Sequence, residues 1–193
     1  MQIEFTKDPP GGEGTRLVLV GAGGALSPSA AALDGQAGGA VGRALRLAGK
    51  RLERRGAAVW LTCPGGTDLD HLVLLSLGKS DGLEIQDLER AGGALAIQLS
   101  ERDVEAATLA TDLPTGFAMD PAAAAVALAS GAALRSYRFD KYRTETGEER
   151  DGRLERLTLI VASPEAAAVG FEPVRAMLHG VGRGRDVARC AGA

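Results

Sequence analysis

Leu17-Val18-Leu19-Val20-Gly21-Ala22-Gly23-Gly24-Ala25-Leu26-Ser27 is an apolar run broken by glycines and closed by a polar residue. A short continuous apolar run ended by glycine is the pattern of a strand buried on both faces, as in the middle of a parallel sheet. The residues after Val20 decide between two architectures. In a dinucleotide-binding turn, glycines spaced G-x-G-x-x-G make the turn, admit the pyrophosphate and let the helix pack, and an acid about twenty residues on holds the ribose. Gly21 and Gly23 fill the first two places, but Leu26 fills the third. The next strand, Ala57 to Cys63, ends in Pro64-Gly65-Gly66 instead of an acid, and Asp34 falls too early, inside a helical stretch. The run is not a G-x-x-x-x-G-K-[ST] phosphate loop either. We read it as a strand-to-helix turn that uses glycine for backbone freedom. At least one of Gly21, Gly23 and Gly24 should then take a positive φ or pack tightly, with no phosphate seated there. Gly180-Val181-Gly182-Arg183-Gly184-Arg185 has no apolar strand before it, so it fails the same test, and it lacks the aromatic platforms of a nucleic-acid groove.

Strands and helices alternate outward from this run. Gln2 to Thr6 alternates polar and apolar residues as an edge or half-buried strand does, Arg16 to Gly21 is a central strand, and Ala57 to Cys63 is a third. His71 to Leu77 is apolar on both faces, and Val104 to Asp112 and Leu154 to Ala162 complete the set. Ser27-Pro28 and Asp120-Pro121 are each a capping residue followed by proline at the first helical position. They open helices running through Leu33 and over Ala122 to Tyr137, with a further helix from Val41 to Leu52. Glu84 to Glu101 carries Ile85, Leu88, Gly92, Leu95 and Leu99 at helical spacing, and Gly92-Gly93 within it points to close packing against a neighbour. A charged, glycine-containing turn over Thr144 to Gly152 precedes the last strand. After Ser163-Pro164 a helical pattern around Val174, Met177, Leu178 and Val181 is interrupted by Gly180, Gly182 and Gly184. This order predicts one α/β domain over 1–163, a three-layer α/β/α sandwich on a mostly parallel mixed sheet, followed by a linker or helical tail over 164–193.

Composition narrows the function classes. The 193 residues suit one domain and carry 22 Lys+Arg against 25 Asp+Glu, a net charge of -3, so no basic field gathers nucleic acid or an anionic membrane. The N-terminus lacks a secretory pattern and no apolar run reaches membrane-spanning length, which reads as a cytoplasmic chain. Cys63 and Cys190 lack partners at metal or redox spacing and read as free thiols. His71 and His179 have no second ligand nearby, so no metal site is expected, and His71 reads as a strand-edge residue. No G-x-S-x-G elbow occurs. Glu145, Glu148, Glu149 and Asp151, interleaved with arginines, read as a solvated loop.

The most individual stretch is Ala129-Ser130-Gly131-Ala132-Ala133-Leu134-Arg135-Ser136-Tyr137-Arg138-Phe139-Asp140-Lys141-Tyr142-Arg143-Thr144. It resembles the helix E-G-x-x-L-x-x-Y-x-F-D-x-Y-K-T near the end of the N-terminal domain of cytosolic leucyl aminopeptidases. Gly24 to Ser27 followed by Ala32-Leu33-Asp34 resembles that family's G-x-L-S…A-x-x-L-D stretch. Leu75 to Lys79 is similar to its G-L-G-K strand end, and Leu88 to Leu99 to its alanine-rich helix. His179-Gly180-Val181 with Arg185-Asp186 is faintly similar to the linker that introduces its catalytic domain. The resemblance implies a macro-domain-like sandwich acting as an accessory domain in assembly or access. Intact members are hexameric and release N-terminal amino acids from peptides with two divalent metals, Zn or Mn.

In that family the metals, the catalytic lysine and arginine and the segment N-T-D-A-E-G-R lie in a second, C-terminal domain. These 193 residues contain no asparagine, so that segment is not among them and no catalytic or metal residue carries over. The expected partners are that catalytic domain and further subunits, with no membrane and no nucleic acid. Tyr137, Phe139, Asp140 and Tyr142 are the signature residues. The aromatics read as closing the core or meeting a neighbouring domain, with ligand contact as the other reading. The rival function is a macro-like ligand-binding or DNA-binding regulatory module. A dinucleotide-dependent oxidoreductase would rest on the glycine motif after Val20 alone.

Overall fold

The computed structural model describes the backbone of residues 1–9, 11, 13–146 and 154–190, and the side chains of 1–9, 11, 13–136 and 154–178. The strands are β1 (Gln2–Thr6), β2 (Thr15–Val20), β3 (Ala58–Thr62), β4 (His71–Ser76), β5 (Ala106–Ala110) and β6 (Arg156–Ile160). The helices are α1 (Pro28–Gln36), α2 (Ala40–Ala48), α3 (Ile85–Ser100), α4 (Pro121–Thr146) and α5 (Pro164–Cys190). One sheet runs in the order β1-β6-β5-β2-β4-β3. All neighbours are parallel except β3 and β4. That exception fits the short link between them, since a parallel return needs a crossover of a dozen or more residues.

Leu17, Val18, Leu19 and Val20 have no exposed surface, as a strand in the middle of the sheet requires. Alternation sends Leu17 and Leu19 into a core with α3, α4 and α5, and Val18 and Val20 into a second core with α1 and α2. Leu88, Leu95 and Leu99 form the buried stripe of α3, whereas Ile85 is 41% exposed in its first turn. Helices α3 and α4 cross at glycines. A Cβ on Gly92 would strike the carbonyl of Leu128, and one on Gly131 the carbonyl of Glu89. The close packing predicted for Gly92 is therefore contact of backbone with backbone.

Two helices run further than their sequence patterns. The backbone of α4 stays helical to Thr146, past the turn predicted from Thr144, and the rest of that turn lies outside the described residues. The backbone of α5 is helical through Gly180, Gly182 and Gly184 to Cys190. A single glycine in a helix costs only about 1 kcal/mol against alanine, so three need not break it. At its start α5 belongs to the core: Ala167 is fully buried and the ring of Phe171 meets Phe5 edge-on at 5.8 Å.

Helices α1 and α2 cover only one half of their face of the sheet. On the other half, Glu4, Thr158, Thr108 and Arg16 stand side by side across β1, β6, β5 and β2. They line a polar hollow of about 540 Å³. Partial burial lowers the pKa of the Arg16 guanidinium from its ordinary value.

Candidate functional site at the strand ends

In an open α/β sheet, ligands bind in the crevice beyond the carboxyl ends of the parallel strands. Here the loops after β2, β4 and β5 meet there. The loop after β2 turns through Gly23 and Gly24, with φ of 72° and 87°, in the left-handed region that favours glycine. The Gly21 N–H donates to the carbonyl of Ala25, and the Ala22 N–H to that of Gly78 at the end of the neighbouring strand, both at 2.7 Å. The expectation of positive φ thus holds at Gly23 and Gly24.

The crevice is furnished from within. Helix α1 points its free N–H groups at the place where a phosphate would sit. Ser27 Oγ accepts from the Ala30 N–H at 3.2 Å, the cap expected of Ser27-Pro28. The Asp112 carboxylate, arriving from the end of β5, accepts from the Ser29 N–H at 2.7 Å. The protein's own anion therefore stands at the positive end of the helix. Beyond Asp112, the Thr115 N–H donates to the carbonyl of Leu26, and the Phe117 ring comes down on Gly21. A Cβ at Gly21 would lie 2.8 Å from Phe117 Cε2. The glycine that would admit a pyrophosphate admits an aromatic ring instead.

The loop after β4 is equally engaged. Arg55 Nη1 binds the Asp87 carboxylate at 2.8 Å, and Nη2 donates to the carbonyls of Lys79 and Asp81. Asp87 also accepts from the Glu84 N–H, part of a reciprocal cap on α3. One guanidinium thus ties the loop to the helix at its far end.

Chemistry-bearing side chains are scattered. Among the described residues no three of His, Cys, Asp and Glu group so as to hold a metal ion. His71 opens β4, where its ring meets Trp60 edge-on at 5.7 Å, and Arg102 lies 4.4 Å over the same indole. Cys63 is a free, exposed thiol. Tyr137, Phe139, Asp140 and Tyr142 lie on the α4 backbone, but their side chains fall outside the described residues, as do those of His179 and Cys190. The side chains of the acid cluster fall outside them too. Sequence reasoning missed Asp112 and Phe117, which act across the sheet and carry no local signal. Among the described residues no helix is long and apolar enough to cross a membrane.

These features define a three-layer α/β domain whose strand-end crevice holds Asp112 at the start of α1 and Phe117 over Gly21. Comparison with known proteins supplies the family. Residues 17–146 match the model described as the cytosol aminopeptidase family, N-terminal domain. A probable cytosol aminopeptidase of Rhodopseudomonas palustris is 38% identical over 69% of this chain and 26% of its own length. One from Rhizobium etli is 31% identical over 96% of this chain and 36% of its own. Among solved structures, a tomato leucine aminopeptidase variant superposes with a TM-score of 0.66 at 18% identity, over 96% of this chain and 38% of that one. The chain belongs to the cytosol aminopeptidase family and matches its N-terminal domain. It spans about a quarter of the length of the Rhodopseudomonas relative.

Proposed function

We propose that this chain is a non-catalytic accessory domain that serves beside a C-terminal peptidase module, supporting assembly and shaping access to it. The observation that carries the reading is the match of residues 17–146 to a domain described as N-terminal, in a chain spanning 26% of the Rhodopseudomonas relative. The crevice supports the same reading, because Asp112 engages the start of α1 and Phe117 covers Gly21, the two features that a phosphate-binding turn would use.

The whole enzyme would work in the cytoplasm as a homo-oligomer, removing N-terminal residues from peptides. Two divalent metals, Zn or Mn, held by the C-terminal module, would activate the attacking water. In this reading residues 1–163 form the domain proper, and the tail from 164, anchored at Phe171, leads toward the module. The reading is tested by incubating the purified chain with a leucyl anilide and Mn²⁺ or Zn²⁺. No hydrolysis is expected, and sustained turnover by the chain alone would overturn it.

A further inference from the structure

The sheet has two edges, and they differ. On β1, Gln2 Nε2 donates to Glu4 Oε1 at 2.7 Å, so a charged side chain and its polar partner mark that edge. Charge is one of the devices that keep an edge from pairing. Strand β3, Ala58-Val59-Trp60-Leu61-Thr62, has no charge and no proline. It is followed by Cys63, whose φ of 45° turns the chain away.

The hydrogen-bond pattern shows which groups this edge offers. The Cys63 N–H donates to Asp70 and the Ser76 N–H to Ala57, so odd-numbered residues of β3 bond to β4. In an antiparallel ladder the alternate residues face the other way. Ala58, Trp60 and Thr62 therefore turn their N–H and C=O groups outward, where no described strand pairs with them.

We propose that β3 is a self-pairing edge through which two copies of this chain join their sheets about a two-fold axis. An antiparallel pairing centred on Trp60 sets Trp60 against its own image and Ala58 against Thr62 of the other copy. Every outward N–H and C=O of the three residues then finds a partner in a single register. On the opposite face the same register sets Val59 against Leu61, an apolar pair made twice. The ends match in charge as well. Exposed Arg51 and Arg54, with exposed Glu53 between them, precede β3, and exposed Asp68 and Asp70 lie beyond its end, so antiparallel pairing brings an end of net positive charge to the acidic end of the other copy. A two-fold pair closes on itself, whereas β3 joined to β1 of the next copy would propagate as a filament. The interface is small, so assembly depends on concentration. The pairing is a property of the edge and holds whether or not the peptidase reading does.

Thr62→Pro tests the register. Thr62 is exposed and its N–H faces outward, so proline there removes an inter-copy donor and leaves the β3–β4 ladder intact. Sedimentation velocity of the full chain over a concentration series should show a monomer–dimer equilibrium. Thr62→Pro should weaken it by about tenfold or more, while Glu4→Lys on the β1 edge leaves it unchanged. Trp60 is the chain's single tryptophan, so its emission should shift as the wild-type chain is diluted through the transition. A chain that is monomeric throughout the series overturns the proposal. So does a dimer whose dissociation leaves Trp60 emission unmoved, or one that forms equally well with Thr62→Pro.

Discussion

The dipeptide Gly-Gly occurs five times in the chain, and the pairs at 23–24 and 92–93 serve opposite ends. In the loop after β2 the glycines supply dihedral angles: Gly23 and Gly24 have positive φ and open space where a Cβ would go. At the crossing of α3 and α4 the dihedrals are ordinary and space is the scarce quantity, since Gly92 faces the Leu128 carbonyl and Gly131 the Glu89 carbonyl. One composition thus meets two physical demands, and a substitution series can separate them.

The largest effect belongs to the crossing. Gly131→Ala places a methyl against a backbone carbonyl that cannot rotate away, so the helices must part, at a cost of about 3 kcal/mol or more. Thermal melting should fall by roughly 6–12 °C for a domain of this size. Gly21→Ala comes next. Its obstacle is the Phe117 ring, which can shift, and urea denaturation should register a loss of about 1–2 kcal/mol. Removing the anion from the end of α1 with Asp112→Ala should cost about 1 kcal/mol, as loss of a cap does. Gly23→Ala meets open space and is penalised only by its left-handed φ, again by about 1 kcal/mol. Gly35→Ala reverses the sign. It sits in α1 with a helical φ and nothing near its Cβ position, so alanine should stabilise by about 0.5 kcal/mol. Equal costs at Gly131 and Gly23 would erase the distinction.

The fold was legible in the sequence where the signal is local. Alternation and apolar runs located the strands, and Ser27-Pro28 located the start of α1, because periodicity and capping act within a few residues. Gly92 was legible as a packing site because glycine within a strongly amphipathic helix needs a reason. What escaped was set by contacts between distant segments. Asp112 answers Ser29 from 83 positions away, and nothing near either residue announces the pair. Phe117 carries no pattern of its own, although it occupies the seat that the glycine motif offers. The antiparallel setting of β3 was available in principle, since the link through Pro64-Gly65-Gly66 is too short for a helical crossover. The glycines of α5 weigh as breakers in the sequence, while the burial of Ala167 and Phe171 anchors that helix at its other end.

A similar contrast divides the sheet's open face from its strand ends. Beyond the strand ends, Asp112 stands at the start of α1 and Phe117 covers Gly21. Over β1, β6 and β5 the face stays polar, with Glu4, Thr158, Thr108 and Arg16 in one row. The accessory role proposed above needs no small-molecule seat in the crevice, and Asp112 and Phe117 occupy part of it.

Calorimetric titration of the chain with ADP-ribose and with NAD(H) tests that claim most directly. With the start of α1 engaged by Asp112 and Gly21 covered by Phe117, no saturable heat is expected for either ligand. Stoichiometric binding of either, abolished by a substitution at Gly21 or Asp112, would contradict the claim and return the loop after β2 to the phosphate-binding role that its first glycines suggest.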